Sequence, residues 1–281
     1  MINLGINTNL DIKKSPKEVI SLIKQAGFNS VMVSFIAENT GLSEEYIVEA
    51  KSVGLNIPYV HLSYKDENSF WTRGTTNDRL ISRAKSELDL CKKYNIKKAV
   101  FHVASGSSFN IAIAPNEFGL NCMKEILEYA RNCGVKIAVE NLDRLNIEHF
   151  FYIMDNIKDS SLGVCYDSGH HNLYLSDYDL IEMYNDRIFA VHLQDNLMDW
   201  QEGTDWTRDI HRLPFDGKID FEKVMQKLAE SSYNDAIILE VHKIPAGGIN
   251  IYKDMTDIEY LTEAKKRAAR LAEIFEKYRN K

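Results

Sequence analysis

Short apolar segments alternate with longer amphipathic segments along almost the whole chain. The apolar segments are rich in Val, Ile, Phe and Tyr, as is typical of strands buried on both faces of a parallel sheet. About eight strand–helix units follow one another, which predicts an α/β fold. Helices are predicted at about 15–27, 43–54, 76–94, 115–132, 146–156, 177–184, 220–231 and 257–279.

Local signals mark where some of these helices begin and end. Ser15 precedes Pro16, and Glu18 follows three residues after the serine, which predicts a capped helix start with proline at the first helical position. Ser43 is predicted to open the second helix, and Gly54 lies near its end.

The order of the units favours a closed barrel over an open sheet. Right-handed crossovers make each unit a parallel neighbour of the last, so that eight of them can close into a (β/α)8 TIM barrel. The alternative, a doubly wound open sheet, is disfavoured because no G-x-G-x-x-G motif follows the first strand. We therefore expect one TIM-barrel domain over residues 1–281, with long segments at about 62–75 and 194–218 as candidate lids.

Six predicted strands run into a polar side chain that is able to bind a metal. The strand ends of a barrel meet at one rim, so residues far apart in sequence can surround one small object there. Carboxylates that end apolar strands would be costly to desolvate without a cation or base beside them. The pattern therefore predicts a metal site. The six residues are His61, His102, Glu140, Asp167, His192 and Glu240.

Composition narrows the class of partner. The 281 residues are 44% hydrophobic and carry a formal net charge of −7, which disfavours nucleic acid because affinity for phosphates comes chiefly from Lys and Arg. No apolar run approaches the roughly 18 residues needed to span a bilayer, and no signal peptide is recognisable. The four cysteines show no C-x-x-C spacing. We expect a soluble, cytoplasmic protein that acts on a small molecule.

Several short motifs follow the strand ends in a fixed order. They are V-E-N at 139–141, C-x-D-S-G-H at 165–170, V-H-L-x-D at 191–195, D-x-H-x-x-P at 209–214 and L-E at 239–240. Together they resemble the xylose isomerase-like TIM barrels grouped as sugar phosphate isomerases and epimerases. That superfamily also includes endonuclease IV.

The resemblance implies a divalent-metal-dependent sugar isomerase or epimerase. In that branch one cation is held by the residues that match Glu140, Asp167, His192 and Glu240. Three carboxylates and one imidazole suit Mn2+ or Mg2+. A cation that bridges a carbonyl and the adjacent hydroxyl would stabilise an enediolate, with Glu140 and Glu240 exchanging the proton and His170 among the catalytic residues. A lyase or dehydratase acting on a keto-inositol would use the same intermediate.

Two alternatives remain open. Endonuclease IV binds three zinc ions, and its ligand order also matches five further residues here. A zinc site of that kind would activate a water molecule for hydrolysis of a phosphodiester. In single-metal sugar enzymes the equivalent histidines contact substrate or hold the metal ligands in place, and the segment after His192 is acidic where a DNA-binding loop should be basic. A non-catalytic sugar-binding barrel is the other alternative. The five residues, predicted as additional metal or substrate ligands, are His61, His102, His170, Asp209 and His211.

The match to ketose 3-epimerases is incomplete. Asn146 and Met198 stand where those enzymes carry a second Glu and an Arg. Trp71 and Arg208 are predicted to contact substrate, by stacking on a sugar face and by binding an anionic group. Barrels of this kind often pair through their outer helices, so a homo-oligomer is compatible with the amphipathic last helix.

Overall fold

Eight parallel strands form a nearly closed barrel in the part of the chain that the structure describes. The structure is a computed structural model, and it describes residues 2–105, 113–143, 146–197, 208–245 and 249–280. Each strand pairs with the next along the chain from β1 to β7, and β8 pairs with β1. The strands are β1 Leu4–Asn7, β2 Ser30–Ser34, β3 Val60–His61, β4 Lys98–Phe101, β5 Lys136–Glu140, β6 Leu162–Asp167, β7 Ile188–His192 and β8 Ile237–Leu239.

The ring closes just beyond β7, at the carboxyl ends of the strands. The amide of Leu193 donates to Ile238 O at 3.0 Å, and the amide of Glu240 donates to Leu193 O at 3.3 Å. The closing hydrogen bonds therefore lie next to His192 and Glu240, two of the predicted metal ligands.

Helices connect the strands, as predicted. In the described residues they are α1 Pro16–Gln25, α2 Thr40–Ser52, α3 Thr75–Lys93, α4 Glu117–Cys133, α5 Ile147–Asn156, α6 Ser168–Tyr174, α7 Leu180–Met183, α8 Phe221–Glu230 and α9 Asp257–Arg279. The predicted (β/α)8 TIM barrel is thus confirmed. Within these ranges, no helix combines the length and the apolar character that a bilayer span requires.

Helix starts follow the predicted chemistry at α1 and depart from it at α2. The Ser15 hydroxyl accepts from Glu18 N at 3.4 Å, and the Glu18 carboxylate accepts from Ser15 N at 3.0 Å, which completes the capping box. α2 begins earlier than predicted because the Asn39 side chain caps it by accepting from Leu42 N at 3.0 Å. Ser43 lies inside the helix, and its hydroxyl accepts from Ile36 N at 2.8 Å.

A layer of buried side chains fills the barrel interior below the rim. Tyr59 is its largest member, and it lies with small residues such as Ala138, Ala190 and Ala236. Its hydroxyl donates to Val191 O at 2.6 Å and accepts from Val191 N at 3.2 Å. These two hydrogen bonds link β7 to the segment that precedes β3 on the other side of the barrel.

Candidate metal centre

A cavity of about 990 Å³ opens at the carboxyl ends of the strands. Asp167 and His192 are fully buried at the ends of β6 and β7. The remaining candidate ligands line the cavity wall, so the structure brings the predicted strand-end residues to one place, as the geometry of a barrel rim requires. Those wall residues are His61, His102, Glu140, His170, Asp209, His211 and Glu240.

Four of the residues form one compact group. One possible ligand atom from each of Glu140, Asp167, His192 and Glu240 lies within 4.8 Å of the other three. His192 Nδ1 lies 3.2 Å from Glu140 Oε1 and 3.0 Å from Glu240 Oε2. This is the set that the resemblance implies for a single divalent cation.

Asn141 holds two members of this group in register. Its side-chain amide donates to Asp167 O at 3.0 Å, and its side-chain oxygen accepts from Asp167 N at 2.8 Å. The V-E-N and D-S-G-H motifs are therefore locked together by a pair of buried hydrogen bonds, immediately beside Glu140.

The donor atoms fit a cation. Asp167 Oδ2 is buried and accepts no hydrogen bond from the described residues, and His192 Nδ1 lies close to two carboxylates without making a hydrogen bond to either. A buried carboxylate oxygen without a partner is costly, and a divalent cation would satisfy it. Three carboxylates and an imidazole are a donor set for Mn2+ or Mg2+, and Zn2+ also accepts these ligand types.

Burial and mutual charge perturb the acids strongly. Burial, together with the neighbouring carboxylates of Glu140 and Glu240, raises the pKa of Asp167. Burial also lowers the pKa of the His192 imidazole, but Cys165, Glu240 and Glu140 outweigh it and hold that pKa well above its ordinary value. Perturbed acids and bases that lie together beside one cavity are characteristic of functional sites.

Glu140 also belongs to a second group, with His61 and His102. Glu140 Oε2 lies 3.1 Å from the Nε2 atom of each histidine, and the two Nε2 atoms lie 3.1 Å apart. His61 Nδ1 donates to Leu62 O at 2.6 Å, which leaves its Nε2 lone pair for the site. Three acceptor atoms this close together require a proton or a cation between them.

A third group lies beside the first and brings His170 of α6 together with Asp209 and His211 of the segment that follows β7. Asp209 Oδ2 lies 2.9 Å from His170 Nε2 and 3.1 Å from His211 Nε2. The backbone of His211 has a φ of 44°, in the left-handed region that non-glycine residues rarely adopt. Such strain concentrates at functional sites, so it supports a role for this group.

Gln194 joins the third group to the first, and the sequence analysis missed it. Its side-chain amide donates to Asp209 Oδ1 at 2.8 Å and to Asp167 Oδ1 at 3.4 Å. A Cβ on Gly169 would lie 2.1 Å from the Gln194 side chain, so glycine is required there. The glycine of D-S-G-H was the available signal, because it marks a close approach.

The two residues predicted to contact substrate, Trp71 and Arg208, are not among the residues that line the cavity. Trp71 is only 2% exposed, its indole N–H donates to Val103 O at 2.7 Å, and it does not line the described cavity. The structure therefore corrects the stacking role predicted for Trp71: this side chain packs the segment after β3 onto the barrel. Arg208 is exposed and is not among the residues that line the cavity. Asn146 is buried, and Met198 lies outside the described residues.

Comparison with known proteins agrees with this architecture. An inosose dehydratase from Bacillus velezensis is 34% identical over 125 residues, which cover 40% of this chain and 38% of that protein. The chain spans about half the length of the curated relatives it matches first.

Solved structures share the fold at low identity. An L-ribulose 3-epimerase superposes with a TM-score of 0.74 and 16% identity, covering 100% of this chain and 96% of that one. The IOLI protein, solved with a bound zinc atom, gives a TM-score of 0.74 and 18% identity over 99% of each chain. A family model described as a xylose isomerase-like TIM barrel matches residues 20–276. The chain belongs to the xylose isomerase-like TIM barrel family.

Proposed function

We propose that this protein is a divalent-metal-dependent isomerase or epimerase that acts on a small carbohydrate or polyol derivative. The observation that carries the proposal is the convergence of Glu140, Asp167, His192 and Glu240 beside an open cavity, where Asp167 Oδ2 has no hydrogen-bond partner among the described residues. The sugar epimerases among the structural neighbours and the inosose dehydratase among the relatives support a sugar-modifying enzyme.

The same four residues would hold the cation. When bound, a divalent cation supplies Lewis-acid polarisation of a carbonyl and its neighbouring hydroxyl, which makes the intervening C–H acidic. The protein must then provide a base that reaches this C–H, and a wall that holds the sugar in place.

Glu240 is the better placed base. Its side chain is 14% exposed, whereas that of Glu140 is 1% exposed. Imidazoles also surround both oxygens of Glu140: His61 and His102 lie beside Oε2, and His170 lies 3.3 Å from Oε1. We therefore assign removal of the substrate proton to Glu240, with Glu140 as the fixed carboxylate on the other side.

One side of the cavity can hold the body of a sugar. Phe35, Ile36, Tyr46 and Tyr64 line it on the side of β2 and β3. Aromatic and aliphatic side chains pack against the apolar face of a sugar ring and exclude water from the reacting carbon.

Hydrogen–deuterium exchange tests the proposal directly. Protein loaded with Mn2+ is incubated in D2O with a panel of ketoses and keto-inositols, and the products are analysed by NMR and mass spectrometry. We expect deuterium at the carbon next to the carbonyl, and we expect Glu240→Gln to lower the exchange rate by at least about 10²-fold. Glu128→Gln, an exposed change on α4, is the matched control. Metal-loaded protein that exchanges no substrate of the panel contradicts the proposal.

A second candidate is a polynuclear metal phosphodiesterase. The groups formed by His61, Glu140 and His192 and by His170, Asp209 and His211 favour it, because each could hold an ion, the first by sharing Glu140 and His192 with the four-residue group. Metal analysis of the purified protein separates the two candidates. One ion per chain together with deuterium exchange supports the isomerase. Three zinc ions, one for each group, together with incision of abasic DNA support the phosphodiesterase.

A further inference from the structure

The segment that follows β3 is bonded to the barrel. It contains a short 3-10 helix at Glu67–Trp71. The Asn68 side chain makes two hydrogen bonds to the backbone of Ser105, at 2.8 Å and 2.9 Å, and the Trp71 indole donates to Val103 O at 2.7 Å. These contacts attach the segment to the residues after β4, at Asn68 and Trp71, which follow Glu67 along the chain.

Glu67 points from this segment to the candidate metal centre. Its Oε2 atom accepts from His102 Nδ1 at 2.8 Å, and the two side chains are 15% and 12% exposed. The other ring nitrogen of His102 lies 3.1 Å from Glu140 Oε2. A continuous chain of contacts therefore runs from Glu67 through one imidazole to the carboxylate at the centre of the site.

The Glu67 carboxylate requires a proton on Nδ1 of His102. An ionised carboxylate accepts hydrogen bonds and donates none, so Nδ1 is protonated and Nε2 faces Glu140. Tyr64 stacks on the ring at a centroid distance of 5.4 Å, and His61 packs edge-on at 4.7 Å. Those ring contacts restrict where the imidazole lies, and the hydrogen bond to Glu67 keeps a proton on Nδ1.

We propose that Glu67 is a positioning residue that keeps a proton on His102 Nδ1 and holds the imidazole ring in the orientation that places Nε2 beside Glu140. Carboxylates that hydrogen-bond to site histidines in this way fix the ring and typically change metal affinity or activity by about 10–100-fold when they are removed. The effect on turnover rests on the proposed function, whereas the effect on His102 does not.

The test compares Glu67→Gln and Glu67→Ala with the control Glu128→Gln. NMR spectra of protein labelled with 15N-histidine report the proton on His102 Nδ1, and the signal is assigned by its loss in His102→Gln. We expect a downfield Nδ1–H signal in the unmodified protein that shifts in Glu67→Gln and is lost in Glu67→Ala. We also expect kcat for deuterium exchange to fall about 10–100-fold in Glu67→Ala, with KM within about twofold.

The outcomes separate the two proposals. An unchanged Nδ1–H signal in Glu67→Ala overturns the role of Glu67, and so does a kcat within twofold of the control. If the unmodified protein exchanges no substrate, the proposed function fails, and the NMR signal alone decides the role of Glu67. If Glu67→Ala does not fold, the same criteria are applied to Glu67→Gln, which keeps the size of the side chain.

Discussion

Glu87 offers a quantitative test of how the wall of the cavity is supported. This α3 residue is 1% exposed, and its carboxyl oxygens accept from Ser63 N at 3.0 Å and from Ser63 Oγ at 2.5 Å. Burial raises the pKa of Glu87 to about 7, although the bonds to Ser63 and the charge of Arg83 act in the opposite direction. Replacing it with glutamine keeps the shape and removes the titration.

The sign of the pH effect follows from the raised pKa. The ordinary value of 4.5 applies to the unfolded chain, so between pH 4.5 and about 7 the folded protein holds a proton that the unfolded chain releases. The contribution of Glu87 is therefore fully present below pH 4.5, is lost as the pH rises to about 7, and is constant above that. A shift from 4.5 to about 7 corresponds to about 3 kcal/mol.

Urea unfolding at a series of pH values measures this term. The free energy of unfolding of Glu87→Gln minus that of the unmodified protein should rise by about 2–3 kcal/mol between pH 5 and pH 8.5, because other titrations cancel in the difference. The exposed change Glu128→Gln should give a flat difference over the same range. A flat or falling difference for Glu87→Gln would refute the assignment of a buried, protonated Glu87.

Two further predictions concern packing and metal binding. In Gly119→Ala the new Cβ would lie 2.2 Å from the Trp71 ring, so we expect a loss of about 1–3 kcal/mol by urea unfolding together with slower exchange. Gly41→Ala, where the nearest atom is 3.5 Å away, is the control, and equal losses would contradict the argument. Mn2+ at about 100 times its Kd should stabilise the unmodified protein by about 2.7 kcal/mol. Asp167→Asn should lose most of that gain, and equal melting-temperature increments in both proteins would exclude Asp167 as a ligand.

The candidate ligands at the strand ends were predictable from the sequence. In β5 and β6 buried residues directly precede the last one, so a terminal acid such as Glu140 or Asp167 stands out, and the barrel brings these ends to one rim. The helix α6 was not predicted. Its first turn is capped by Asp167 itself, whose Oδ1 accepts from His170 N at 2.7 Å, so one carboxylate serves as helix cap and candidate ligand.

The contacts that residues outside the helices and strands make could not be predicted from the periodicity of the sequence. Glu67 lies in a run of polar residues whose pattern carries no signal for the partner of its carboxylate. Trp71 was assigned to substrate because it lies in a long loop, but the structure satisfies its indole N–H with a backbone carbonyl and buries its ring against Gly119. In both cases a long-range contact, absent from any local pattern, determines the role.

The hydrogen bonds of the Tyr59 hydroxyl bear on how a site of this kind can come to accept new substrates. Its hydroxyl bonds to Val191, one residue before His192, and Tyr59 itself lies two residues before His61, whose ring stacks on that of His192 at 5.6 Å. The gap between these imidazoles is therefore set from beneath, by the barrel floor. Loops above it can be exchanged for others that recognise new molecules while the spacing of the ligands is inherited unchanged.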